Sequence, residues 1–473
     1  MHKAEASDEE NRMNPEGNSK PAETAGERTV TLCDALKVWI RVALLSFGGP
    51  TGQIAVMHRI LVEEKRWISE SRFLHALNFC MLLPGPEAQQ LATYIGWLLH
   101  RTKGGLLAGG LFVLPGFVCI LALSLLYTEY GHVPIVVGLF YGLKPAIVAI
   151  VIDAVLRMAR RTLKNHVMVL TTVTAFVAIF IFEMPFPVVI FSAAVVGFLG
   201  GRLRPDLFAV MRGHTAKEEN EPVPEAIFAI ARPSLKRSLA VAGVWLSLWI
   251  GPVAALWIWA GENNIYTQQA LFFSKTAVVT FGGAYSVLAY MAQECVHTHH
   301  WLTASQMVDG LGMAETTPGP LIQVVQFVGY LGAYDQHGPL SPILAGIAGS
   351  LLATWVTFVP SFLWIFLGAP YVERLRDHAA LRAALSVIGA AVVGVVLNLS
   401  IWFGLHVIFA RVNEQRWGVI RLLVPDLSSI DLVALAINVF ACLAMFQFKI
   451  GMGRTLFVSA ILGICYQLVR EVM

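Results

Sequence analysis

The sequence predicts an all-α integral membrane protein made of two homologous transmembrane halves, with roughly 10–13 helices at about 20 apolar residues each, some of them broken near the membrane midplane. Three observations carry this expectation: an apolar composition, long apolar runs, and Gly, Pro and Trp recurring at a constant offset. Of 473 residues, 56% are hydrophobic and only 14% charged, and the mean hydropathy is +0.65. Soluble domains carry about 25% charged residues. The runs are also too long for the buried strands of a soluble α/β core, which span about 4–8 residues.

Residues 1–30 come first and are of another kind. Glu5–Arg28 is rich in Glu, Asn, Pro and Lys without apolar periodicity, and is expected to be a disordered tail. It contains no short apolar stretch with a small-residue cleavage site, so no removable signal peptide is expected. The first repeat is placed at 31–201. It holds the apolar runs Gly104–Tyr127 and Val133–Leu156, then a helical hairpin within His166–Gly201 that turns at Glu183–Pro187. A basic loop, 202–234, is assigned to the cytoplasm. A linking transmembrane helix, 235–261, follows. The second repeat, 262–473, contains Pro342–Gly368, Ala380–Ala410, Ile430–Phe448 and Thr455–Val469.

Lys and Arg concentrate in cytoplasmic loops. Arg157, Arg160, Arg161 and Lys164 mark one such loop, residues 202–237 a second, and Arg374, Arg376 and Arg382 a third. The loops at Glu129–His132 and Glu183 carry no Lys or Arg and are placed outside. That scheme puts Arg411, Arg416 and Arg421 outside as well, against the rule. The six cysteines are scattered and suggest no disulfide framework. A net charge of +3 gives no reason to expect nucleic acid.

Phe47, Gly48 and Gly49 recur 234 residues later as Phe281, Gly282 and Gly283. Trp67 recurs as Trp301, and Pro84, Gly85 and Pro86 recur as Pro318, Gly319 and Pro320, without a gap. Such a register implies duplication. One extra crossing between the halves inverts the second, an architecture common in secondary transporters. A parallel repeat is the alternative if Leu235–Gly261 does not cross. Gly and Pro interrupt helices. Broken backbone at membrane depth is tolerated only inside protein or beside water. The helix breaks at Gly48, Gly49, Gly282 and Gly283, and the two Pro-Gly-Pro turns, therefore point to a binding site, whereas Gly104, Gly105, Gly109 and Gly110 read as helix packing.

Ionisable groups in apolar spans are costly and usually functional. Arg41 and Lys275 match at the offset, each six residues before its Phe-Gly-Gly, so the pair is expected to flank one anion; for Arg41 the alternative is snorkelling to the surface. Helices starting after Pro-Gly-Pro direct free N–H groups into the gap. Gln89, Gln90, Gln323 and Gln326 add amide donors there. Glu87 and Glu315 flank the turns and are candidate proton carriers, with helix capping as the alternative. Asn78, His58 and His75 are candidates to line the cavity, and Lys144 with Asp153 to form a buried pair. His297, His299 and His300 look like a metal cluster but sit in a turn before Trp301, and no metal site or cofactor is expected. No nucleotide loop, nucleophile motif or zinc-protease signature is present, so an enzyme is not expected.

Phe47-Gly48-Gly49-Pro50, Gln53-Ile54-Ala55, Trp67, Phe73–Asn78 and the run Met81–Tyr94 resemble the chromate ion transporter family in its long, two-domain form. Phe281–Tyr285 and Ala314–Pro320 supply the second copy. The turn His297-Thr298-His299-His300 departs from the family's acidic and aromatic sequence. The resemblance implies a bacterial inner-membrane protein that exports chromate and confers chromate resistance. It further implies proton-driven antiport, with sulfate as competitor. It carries a transport role to Arg41, Asn78, Glu87, Gln89 and Gln90. A sulfate or other oxyanion transporter of the same fold and a passive anion channel are the alternatives; a homodimer is compatible with either.

Overall fold

The computed structural model describes residues 30–208, 234–281, 284–371 and 379–473. The expected tail, most of the basic loop 202–234, the Gly282-Gly283 break and the Arg374 and Arg376 positions lie outside the described residues.

In the first half, α1 (Leu32–Leu45) starts at Thr31, whose hydroxyl accepts from the Asp34 N–H. It ends at the Phe-Gly-Gly break. α2 (Gly49–His58) runs into a π-helical turn at Arg59–Glu64, and α3 (Glu70–Cys80) leads to Pro-Gly-Pro. α4 (Glu87–Tyr130) is two helices joined by a sharp reversal: His100 and Arg101 leave helical geometry, Arg101 with φ 55°. Its arms touch where side chains are smallest, since a Cβ on Gly96 would lie 2.4 Å from the Gly104 carbonyl. Packing is thus the role of Gly104, and Gly105 and Gly109 also abut neighbours, while Gly110 faces open space. α5 (Pro134–Thr162), α6 (His166–Phe180), α7 (Phe186–Leu203) and the short α8 (Pro205–Phe208) complete the half. Pro at the first turn starts α5 and α7, where a missing N–H costs nothing.

α9 (Leu235–Ala260) links the halves and is apolar nearly all round, with Ile258 and Trp259 at 75% and 87% exposure, as a lipid-facing helix requires. The second half repeats the order. α10 (Ile265–Val279) and α11 (Ala284–Gln293) are followed by a π-helical turn at Glu294–Thr298. α12 (Ala304–Thr316) opens with a Thr303/Gln306 capping box, and a 3-10 turn at Leu321–Gln323 leads into α13 (Val324–Asp335). α14 (Pro342–Gly368), α15 (Ala379–Ile408), α16 (Leu432–Cys442) and α17 (Met452–Val472) follow. Among the described residues, seven helices are long and apolar enough to span a membrane, and His166–Phe180 and Leu432–Gln447 are shorter apolar helices. The fold departs from all-α at a hairpin between α15 and α16, β1 (Val412–Trp417) paired antiparallel with β2 (Ile420–Pro425).

The repeat extends to backbone detail. Arg66 and His300, 234 apart, both take positive φ (53° and 52°) directly before the two Trp residues. The halves exchange their last helices: α16 and α17 pack on α5, while α6 and α7 pack on α15. Equivalent hydrogen bonds mark the swap, from Asn438 Nδ2 to the Pro145 carbonyl (2.8 Å) and from Thr172 Oγ1 to the Ala390 carbonyl (2.7 Å).

Equivalent helices run antiparallel. Gly389 sits against Thr162 and Gly404 against Val148, so α15 descends as α5 ascends. Gly105 meets Phe366 and Gly109 meets Phe362 in the same sense for α4 and α14. Two halves related in this way have inverted topology, which excludes the parallel alternative.

The hairpin explains the three misplaced arginines. The Arg421 N–H donates to the Ile181 carbonyl (2.8 Å), and Arg421 and Arg416 ion-pair with Glu183 at 2.5 and 3.0 Å. Arg411 pairs with Asp426 at 3.7 Å. The hairpin therefore shares a face with the Glu183 loop, its charges matched by carboxylates.

Candidate functional site

The two Pro-Gly-Pro turns meet the opposite half's helix break at the centre of the molecule. Gly85 N–H donates to the Thr280 carbonyl (2.8 Å), and Gly319 N–H donates to the Ser46 carbonyl (3.0 Å). Thr280 and Ser46 are the residues just before each Phe-Gly-Gly, so the bonds are reciprocal. Both helix ends are tied off identically: Ser46 Oγ donates to the Val42 carbonyl (2.6 Å) and Thr280 Oγ1 to the Thr276 carbonyl (2.7 Å). Gly85 and Gly319 take φ of 125° and 106°, which L side chains rarely adopt. Space is short as well. A Cβ on Gly85 would lie 2.8 Å from Ser361 Oγ, and one on Gly319 would lie 3.1 Å from Gly116 Cα.

The helices that begin at Glu87 and Leu321 have proline N-caps and receive no side-chain cap. Their first N–H groups lack intrahelical partners and carry the positive end of the helix dipole. Gln53, Gln89, Gln90, Gln323, Gln326 and Glu315 are all buried around this centre. Tyr285 donates to Glu315 Oε1 at 2.5 Å, and a side chain on Gly49 would meet that tyrosine and Glu315 Oε2.

The amides differ from expectation. Gln90 Nε2 donates to the Pro84 carbonyl (2.7 Å), Gln53 Nε2 to the Gly319 carbonyl (2.5 Å) and Gln326 Nε2 to the Phe117 carbonyl (2.9 Å). Gln323 Nε2 donates to Gln326 Oε1 (3.0 Å), and Gln89 Nε2 to Thr93 Oγ1 (3.1 Å). Two of these donors, on Gln90 and Gln53, pair the Pro84 and Gly319 carbonyls that the breaks leave bare. Five buried side-chain oxygens here have no protein partner: Gln53, Gln89, Gln90 and Gln323 Oε1 and Glu315 Oε2. Buried polar atoms are normally satisfied. Five such oxygens in one region mark a place for water, protons or a polar solute.

The expected cation pair is not at the centre. Arg41 is about half exposed (49%) and ion-pairs with Glu64 at 2.6 Å. Lys275 is exposed, its ammonium 5.7 Å from the Tyr290 ring. Inversion explains this. Equivalent positions six residues before each break lie about 9 Å along the helix axis from it, towards opposite faces. Asn78 is exposed, and His58 bonds Glu70 and pairs with Glu63 (3.1 Å), so neither joins the central group. His75 is partly buried.

Lys144 and Asp153 do not pair. Nine residues apart, they point to opposite sides of α5. Lys144 instead pairs with Asp309 (3.3 Å), and Asp153 with Arg157 (3.2 Å). His297 packs edge-on to Trp402, and His299 stacks on Trp301. No metal-holding cluster of His, Cys, Asp or Glu occurs among the described residues.

The basic groups that do approach the centre are Arg157 and Arg161. The charge of Arg157 reaches Glu315 and Tyr285, and that of Arg161 reaches the half-buried Glu87. Asp153, Arg157 and Arg161 recur every four residues, which puts them on one face of α5. That spacing was visible in the sequence, where these arginines served only to orient the loops.

Comparison with known proteins agrees with this architecture. The family described as Chromate transporter matches residues 33–198 and 267–465, one region in each half. A chromate transport protein of Cupriavidus metallidurans is 28% identical over 368 residues, covering 78% of this chain and 81% of its own. One from Pseudomonas aeruginosa is 30% identical over 366 residues, covering 76% and 77%. An uncharacterized transporter of Methanocaldococcus jannaschii is 26% identical over 372 residues, covering 78% and 83%. No solved structure matches. The match over both halves, residues 33–198 and 267–465, places the chain in the chromate transporter family.

Proposed function

We propose that this protein exports chromate across a bacterial inner membrane by proton-coupled antiport, with sulfate as a competing dianion. The observation that carries the reading is the reciprocal pair of Pro-Gly-Pro breaks in a chain of this family. Pro84–Pro86 and Pro318–Pro320 frame the substrate. The uncapped N–H groups after each turn attract negative charge, and Gln89, Gln90 and Gln323 contact the solute or its water. Arg157 and Arg161 draw the anion towards the centre from one face. Glu87 and Glu315 carry the proton.

Asymmetry supports alternating access. α11 packs on α15, and α12 packs on both α5 and α15. Their counterparts α2 and α3 make at most marginal contact with α5 and α15. The gap is thus closed on the Glu129–His132 side and less covered on the Arg157–Arg161 side. Exchanging these two arrangements between the halves would expose the centre to the opposite face.

The test is chromate uptake into inverted membrane vesicles, with and without a proton gradient and with excess sulfate. Gradient-dependent accumulation that sulfate inhibits is expected. Sulfate movement without chromate would reassign the substrate, and flux indifferent to the gradient would make the protein a channel. In Glu87→Gln, unchanged proton dependence would remove that residue from the coupling role.

A further inference from the structure

The Lys144–Asp309 pair lies away from the central breaks, in a cavity of about 530 Å³ that opens beside the Glu129–His132 turn. Asp309 is almost fully buried, with its side chain 3% exposed, whereas Lys144 is 23% exposed. One carboxylate oxygen is fully engaged: Oδ2 accepts from the Tyr127 hydroxyl (3.0 Å) and faces the Lys144 ammonium (3.3 Å). The other, Oδ1, is buried with no partner. Lys144 also donates to Ser305 Oγ at 2.6 Å.

A buried carboxylate with an idle oxygen is an expensive arrangement if its purpose is only to hold two helices together. A structural pair would be expected to use both oxygens. The remaining charged and titratable groups around the cavity are His132 from the turn after α4, and Tyr334 and Asp335 at the end of α13. Tyr334 in turn reaches Glu129 (3.4 Å). Lys144 is thus the one fixed cation among the lining side chains, which also include the carboxylates Asp309 and Asp335. That balance disfavours an anion and suits a proton.

We propose that Asp309 is a proton-binding site of the transport cycle, loaded from this cavity, with Lys144 as its counter-ion. The proposal rests on the proton-coupled reading above and deepens it. A proton from cavity water adds to Asp309 Oδ1, making a neutral carboxyl group, and hydroxide or buffer base is left in the water. Lys144 remains an ammonium ion and loses its charge partner. Because the pair joins α12 to α5, neutralising it loosens the packing that closes this side of the gap. When the proton leaves, the pair re-forms. Asp309 also stands six residues before Glu315 on α12, about 9 Å along the helix axis, between the cavity and the centre.

The site breaks the repeat, as a directional device must. The position matching Asp309 is His75, and in the reciprocal packing of the halves the position matching Lys144 is Gly389. The buried Lys–Asp pair is therefore present in one half only.

The test uses the full chain in liposomes with labelled sulfate and chromate, alongside infrared difference spectra of the purified protein between two pH values. Asp309→Asn is expected to lose gradient-driven accumulation while label exchange at equal anion concentrations continues at a measurable rate. It also loses a protonated-carboxyl C=O band that the wild type shows. Lys144→Gln removes the charge that favours the carboxylate, so the pH of half-maximal gradient-driven transport rises by about one unit. Wild-type accumulation in Asp309→Asn, or an unchanged infrared band, overturns the assignment. If Asp309→Asn does not fold, Lys144→Gln decides, and an unmoved midpoint overturns it. If the wild type accumulates no anion, the transport reading fails, and the infrared band alone decides whether Asp309 binds the proton.

Discussion

The two broken-helix regions, 32–100 and 265–335, share a sequence register and yet are packed differently. In the first, α1 to α3 and the arm of α4 from Glu87 to the reversal form a small core of their own, joined by Phe112, Ile365, Phe366 and Ala369. In the second, α10 to α13 belong to the main core with α5 and α15. The turns differ less. Met81–Pro84 are all partly exposed, while in the matching stretch Glu315 and Thr317 are buried, Pro318 is partly buried and Thr316 is exposed; the helices that follow are buried in both copies, at 88–97 and 321–333. Duplication supplies the same parts twice, and tertiary context decides which copy is clamped and which stands off. A transporter needs such inequality at each moment, because a centre closed on both sides or open on both sides moves nothing against a gradient.

The turn glycines give the largest expected effect. Valine at either position imposes backbone strain of about 1–3 kcal/mol. Overpacking adds about 1–3 kcal/mol more. Gly319→Val meets the Gly116 backbone, which cannot step aside, while Gly85→Val meets the ends of the Gln90 and Ser361 side chains. Both variants should lose transport, and Gly319→Val should also lose more thermal stability in detergent. Equal stability losses would erase the claimed difference between clamped and free copies.

The tryptophans should give the next largest effect. Trp301 is 1% exposed and packs against His299, Phe272 and Phe273, whereas its counterpart Trp67 is only partly buried. Trp301→Ala should cost about 3–5 kcal/mol, as deletion of a buried aromatic does. Trp67→Ala should cost clearly less. Denaturant unfolding in detergent compares the two directly, and a reversed order would mean that the first region is the better packed.

Much of this was legible in the sequence because Gly, Pro and Trp constrain backbone locally and leave a countable register. The duplication, the breaks at Gly48-Gly49 and the Pro-Gly-Pro turns all follow from such residues. Inversion was legible from the single extra span at 235–261. The hairpin at 412–425 was not, because β1, from Val412 to Trp417, is mostly polar and reads as loop. Nor was the partner of Lys144, since Asp309 is 165 positions away and nothing local announces it. The use of the Gln53 and Gln90 donors was hidden for a similar reason. It depends on which carbonyls the breaks leave bare.

Arg41 and Lys275 give the smallest expected effect and the sharpest test of how far sequence equivalence carries. Matching positions invite the idea of a shared anion, but an inverted axis sends matching near-surface residues to opposite faces. Arg41 is half exposed and its bond to Glu64 is an exposed pair, worth under about 1 kcal/mol. Arg41→Gln and Lys275→Gln should each leave accumulation within about twofold, the kinetic equivalent of under 0.5 kcal/mol. Arg157→Gln, which removes a charge that reaches Glu315, should reduce it more. If instead the double variant at 41 and 275 loses transport while Arg157→Gln retains it, the anion is held by the repeated cations after all. The two regions would then have to approach each other far more closely in another state of the cycle than they do here.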